Sequence, residues 1–197
     1  MFGLKKIYIV LTYSGTTLSK IIKNWTKDEF SHVSIALDED LQEMYSFGRL
    51  HPYNALSGGF VHEKINEGTY KRFFRTKARI YSIEVEDQQF VDIRNTIYSM
   101  WEHRKKYKFN IVGLLAIGFK KEIKMHNYFY CAEFVKYVLE KANVDLNLPD
   151  KMIRPENFKD IENKELVYEG LLNKYKKKSL LKDYIEVLTY KTANQNK

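Results

Sequence analysis

A single cysteine in 197 residues excludes an internal disulfide, so this chain must be held by its core alone. An unpaired thiol suits a reducing compartment, with the cytoplasm as the default. The nine glycines form neither a Walker-type loop nor a dinucleotide fingerprint, so no cofactor is expected from them. His51, His62, His103 and His126 are scattered, and with one cysteine they make no metal-ligand spacing; no metal is expected either. Long apolar runs are also missing. Ile111 to Phe119 is too short to span a bilayer and ends in Lys120-Lys121. Met1 to Tyr13 places two lysines before an apolar stretch, yet it is short for a secretory leader, lacks a small-residue cleavage site, and reads as a first strand.

What is present suits one enzyme-sized domain. Hydrophobic residues make up 44% and aromatics 15% of the chain, enough to bury a substantial core. The net charge of +8 is uneven: residues 101–197 carry 20 Lys and Arg against 13 Asp and Glu. The excess lies in Arg104-Lys105-Lys106-Tyr107-Lys108, Lys120-Lys121 and Lys174-Tyr175-Lys176-Lys177-Lys178. No helix-turn-helix or zinc finger accompanies these runs, so they read as solvated faces with no specific nucleic-acid partner. Peripheral contact with an anionic surface is the alternative. The expected division is a domain over 1–170 and a basic extension over 171–197, with 171–190 as a last helix or strand.

Periodicity predicts strands at 5–12, 32–37, 43–47 and 78–86, and helices near 17–26 and 87–106, the latter with Phe90, Ile93, Ile97 and Trp101 inward. Asn54 to Phe60, with Gly58 and Gly59, reads as a mobile loop, and with the stretch to Arg75 as a lid or wall. Phe134, Val135, Val138, Leu139 and Ala142 form one apolar stripe, predicting a helix that begins at Cys131 and stops near Asn143.

A thiol in the first turn of a helix sits at the positive end of the dipole, which favours thiolate. A free cysteine is also a common small core residue. Both readings stand for Cys131 taken alone. His32 shifts the balance, because it opens the alternating strand Phe30-Ser31-His32-Val33-Ser34-Ile35-Ala36-Leu37, where an imidazole fixed at a strand end can serve a thiol as base or ion-pair partner. Asp38-Glu39-Asp40 is a turn signal. A hairpin folded there sets Ser46 on the His32 face and turns Glu43 away. Ser46 is therefore the candidate third residue and Glu43 the alternative under a one-residue slip. Tyr13, ending the first strand, is a candidate oxyanion contact beside the Cys131 backbone N–H.

These pieces, with Ser14-Gly15-Thr16-Thr17-Leu18-Ser19 after the first strand, Tyr107-Lys108-Phe109-Asn110 with Gly113, and Tyr130-Cys131-Ala132-Glu133-Phe134-Val135, occur in a definite order over about residues 7–160. In that order the chain resembles the circularly permuted NlpC-type cysteine hydrolases, in particular the YiiX/YebB-like branch, with lecithin-retinol-acyltransferase-like proteins more distant. The resemblance implies an α+β, papain-like fold with the cysteine helix packed on an antiparallel sheet. It implies Cys131 as nucleophile, His32 as base, and a small peptide, amide or acyl-lipid substrate. It also implies a third polar residue, often a glutamate, on the strand after the histidine strand, and here the chain departs by offering Ser46. Two alternatives to a hydrolase follow: a papain-like binding protein with weak or no turnover, or a thiol acyltransferase acting on lipid-like substrates.

Overall fold

The computed structural model describes residues 3–51 and 53–175. In chain order the elements are β1 (Leu4–Tyr13), α1 (Thr17–Thr26), β2 (His32–Ala36), β3 (Met44–His51), β4 (Asn54–Glu63), α2 (Gly68–Arg72) and β5 (Lys77–Glu86). They are followed by α3 (Asp87–Glu102), β6 (Lys108–Phe109), α4 (Ile111–Ile117), β7 (Tyr128–Phe129), α5 (Cys131–Lys141) and β8 (Lys164–Leu171). Six strands form one sheet in the order β4-β3-β2-β1-β5-β8, with every pairing antiparallel. The short β6 and β7 pair in parallel beside it. The architecture is α+β, and no helix among the described residues is long and apolar enough to cross a membrane.

The alternation of β1 assigns the two faces of the sheet. Ile7, Ile9 and Leu11, with Val33 and Ile35 of β2, join Ile93 and Ile97 of α3 and Phe134 and Val138 of α5 in the larger cluster. Tyr8, Val10, Ala36, Met44 and Ile80 face the other way, against Tyr70 of α2 and against Leu172 and Tyr175. Phe134 is fully buried, so Phe134→Ala would cost about 3–5 kcal/mol through lost transfer energy and the cavity left behind. Asn143 ends α5 in the left-handed region at φ 53°, where asparagine pays little steric penalty.

The structure corrects several expectations. Asn54 to Glu63 is not a mobile loop but β4, paired along β3 from His51↔Asn54 to Met44↔Glu63. The glycines there are a packing requirement, since a Cβ on Gly58 would lie 2.6 Å from the Phe109 ring. The hairpin is centred one residue later than Glu39, with Ile35 opposite Tyr45 and Ala36 opposite Met44. That places Ser46 across from Ser34 and diagonal to His32, still on the same face because the offset is even. The 87–106 helix ends at Glu102; it buries Ile93, Ile97 and also Met100, while Phe90 and Trp101 are partly buried. Trp25 of α1 is exposed, edge-on to Phe119 at 5.6 Å. Lys164–Leu171, for which periodicity predicted no element, is a strand on the β5 edge. Leu172 and Tyr175 pack into the core; most of the helix or strand expected at 171–190 lies outside the described residues.

Candidate active site

Cys131 is the first residue of α5 and 3% exposed. The chain enters the helix through Tyr130, extended at φ −102°, ψ 173°, with its hydroxyl donating to the Ile153 carbonyl at 2.9 Å. Glu133, in the third helical position, accepts the Tyr130 N–H at 3.1 Å, leaving the Cys131 N–H among the donors at the helix start that no intrahelical carbonyl can satisfy. Asn110, fully buried, fixes the approach. Its amide donates to the Ile123 carbonyl at 2.9 Å and to Glu133 at 3.4 Å, while its Oδ1 accepts the Gly113 N–H at 2.8 Å and so caps α4. Gly113 is required there, because a Cβ would fall 2.2 Å from the Asn110 amide nitrogen.

His32 opens β2 and lines one pocket with Cys131, near enough for the sulfur to act on the charge of the imidazole. The imidazole Nε2 faces Glu63 Oε1 at 3.0 Å and Ser46 Oγ at 3.2 Å, leaving Nδ1 as the nitrogen available to the thiol. Glu63 Oε2 accepts from Ser34 Oγ at 2.5 Å and from the Tyr70 hydroxyl at 3.3 Å. Tyr70 in turn lies 3.4 Å from Thr12 Oγ1. The His32 and Glu63 side chains are 22% and 12% exposed, so water screens the pair weakly. Burial alone would drive His32 down, but the Glu63 carboxylate and then Cys131 outweigh it and carry His32 up to about 10. Burial likewise works against an ionised Glu63, and the His32 charge with hydrogen bonds from His32, Ser34 and Ser46 brings it below the usual carboxylate range. Tyr70 is driven well above its ordinary range by burial and by the facing Glu63, so it stays a neutral donor.

The residues expected at the site are thus divided. Cys131, His32 and Ser46 come together. Glu43 does not: it turns away and accepts the Tyr98 hydroxyl at 3.0 Å on both carboxylate oxygens. Tyr13 is not among the residues lining the pocket; alternation puts it on the Leu11 face, packed against the cluster that contains Cys131, with Lys23 4.5 Å from its ring centroid. The orienting carboxylate missing from the strand after His32 comes one strand later, from Glu63. Sequence reasoning passed over it by taking 54–75 as loop, although Phe60-Val61-His62-Glu63 alternates as a strand should. Tyr70 and Ser34 were passed over as well.

Chemically, the arrangement offers a thiol at a helix start, an imidazolium against it, and a buried carboxylate to hold the ring. Compared with protein-family models the chain matches none, and among curated proteins no relative is found.

Proposed function

We propose that the chain is a thiol hydrolase of amide or ester bonds, built on the permuted papain-like plan in which the histidine strand precedes the cysteine helix. The observation that carries this reading is that Cys131, His32 and Glu63 line one pocket, with Glu63 facing the His32 imidazole at 3.0 Å. A structural cysteine needs neither a buried imidazole nor a carboxylate behind it. The Cys131 sulfur attacks the carbonyl carbon, and the developing oxyanion takes the Cys131 backbone N–H at the start of α5. The His32 imidazolium gives its proton to the leaving amine or alcohol as the C–N or C–O bond breaks, leaving a thioester. Neutral His32 then removes a proton from water, which attacks the thioester and releases the acid, with the thiolate and the imidazolium re-formed. Glu63 holds the ring orientation and stabilises its positive form. The non-catalytic alternative drew its support from an absent carboxylate, and Glu63 removes that support.

The test is alkylation of Cys131 by iodoacetamide as a function of pH, with Cys131→Ser and His32→Ala. Labelling that persists on the acid side of neutrality and loses that persistence in His32→Ala is the expected result. A profile that rises only in the alkaline range of an ordinary thiol, and is the same in His32→Ala, overturns the reading.

A further inference from the structure

Glu63 is the only carboxylate among the described residues lining the Cys131 pocket, and it is already paired with His32. Arg49 lines the same pocket from β3. Its cross-strand neighbour is Gly58, which has no side chain to offer it, and the Phe109 ring lies against that glycine. No acid among the described residues pairs with the Arg49 guanidinium. Its charged neighbour is another cation, Arg72; burial first and then Arg72 push Arg49 below its ordinary value. A guanidinium half withdrawn from water and facing like charge is unfavourable until an anion completes it. Beyond Gly58 and Phe109, which the two share, an adjoining groove carries Arg104, Lys105 and Lys108, so the approach is also positive and favours arrival of an anion.

We infer that Arg49 is a specificity residue that receives an anionic group, a carboxylate or a phosphate, on the substrate whose carbonyl Cys131 attacks. The inference rests on the reading of Cys131 as nucleophile. The planar guanidinium fork can take two oxygens of either group in paired hydrogen bonds. Neutral amides and unmodified acyl chains leave that fork empty.

The experiment uses iodoacetamides whose N-substituent ends in a carboxylate, in a phosphate, or in a neutral methyl amide of matched length. The quantity read is the ratio of second-order alkylation rates at Cys131, anionic over neutral. In the wild type we expect a ratio of about 10 or more for one of the anionic probes, and the larger ratio tells carboxylate from phosphate. In Arg49→Gln the ratio should fall towards 1. In Arg49→Lys, which keeps the charge and loses the fork, it should fall part of the way, and this variant decides the matter should Arg49→Gln fold poorly. A wild-type ratio near 1, or one unmoved in both variants, overturns the inference. Failure of the nucleophile reading looks different, since it appears in the pH profile of the neutral probe alone.

Discussion

Glu63, at the end of β4, and Glu133, in the first turn of α5, are both drawn away from water, and the molecule treats them in opposite ways. Each accepts hydrogen bonds: Glu63 from Ser34 and Tyr70, Glu133 from the Tyr130 N–H and the Asn110 amide. Glu63 has a cation in direct contact, His32 at 3.0 Å, whereas the charge of Lys124 acts on Glu133 too weakly to offset its burial. Glu63 accordingly stays below the usual carboxylate range despite burial, whereas burial carries Glu133 up to about 7. Neutral donors soften the cost of burying a carboxylate, but a counter-charge is what reverses it. One carboxylate is therefore an ionised partner of the imidazole, and the other a proton-binding group in the first turn of the Cys131 helix.

The largest effect expected from breaking this contrast is that of Glu63→Gln. The amide can still hold the ring but contributes no charge, and activity should fall on the order of 100-fold or more. Because Glu63 is the chief group raising His32 against burial, the alkaline limb of the pH–rate profile, expected near 10 in the wild type, should move down. Stability carries the same signature. His32 is raised from 6.5, so its contribution is complete below 6.5 and is lost as pH rises through about 10. Glu63 is lowered from 4.5, so its contribution is present above 4.5 and is lost as pH falls through its native value. Wild-type urea midpoints should show both declines, and Glu63→Gln should flatten them. An alkaline limb that does not move in Glu63→Gln would show that some other group charges the imidazole.

Smaller effects separate the two residues that the hairpin had put in competition. Ser46→Ala removes one of the partners on His32 Nε2 and should cost several-fold in kcat, the size of one hydrogen bond of about 1 kcal/mol. Glu43→Gln should leave kcat within about two-fold, because its carboxylate is engaged by Tyr98 on the far face. Steady-state rates on one ester substrate check both. A loss in Glu43→Gln larger than in Ser46→Ala would reverse the assignment.

How much of this was legible beforehand follows from how local each signal is. The cysteine helix, the β1 and β5 strands and the face shared by His32 and Ser46 are encoded in periods of 3.6 and 2 that survive without knowledge of the fold. Glu63 could not be read that way. Its position depends on β4 pairing with β3, and Gly58 and Gly59 weaken the strand pattern for a reason seen only when Phe109 packs against Gly58. Tyr13 is a different case: its period-2 face is legible and puts it with Leu11 against the cluster that holds Cys131, yet the pocket beside it is lined by its neighbours Thr12 and Ser14. Arg49 and Tyr70 carry no local signal at all, since what marks them is a missing partner in one case and a facing carboxylate in the other.

The smallest expected effect lies on the other side of the contrast. Glu133 binds its proton more tightly in the native state, at about 7 against an ordinary 4.5, so between these values the folded chain holds more protons than the unfolded one. Wild-type stability from this group therefore falls as pH rises from 4.5 through 7. Glutamine can accept the Tyr130 N–H and the Asn110 amide on its carbonyl oxygen without ionising. Glu133→Gln should thus match the wild type within error at pH 5 and exceed it at pH 8 by about 1 kcal/mol, a modest figure because the side chain is partly open to solvent. In thermal melts that is a Tm gap of about 2–4 °C which opens with pH. A gap that stays constant from pH 5 to 8 would mean that Glu133 is not held as a neutral acid, and that its hydrogen bonds alone suffice to keep it charged in the first turn of the Cys131 helix.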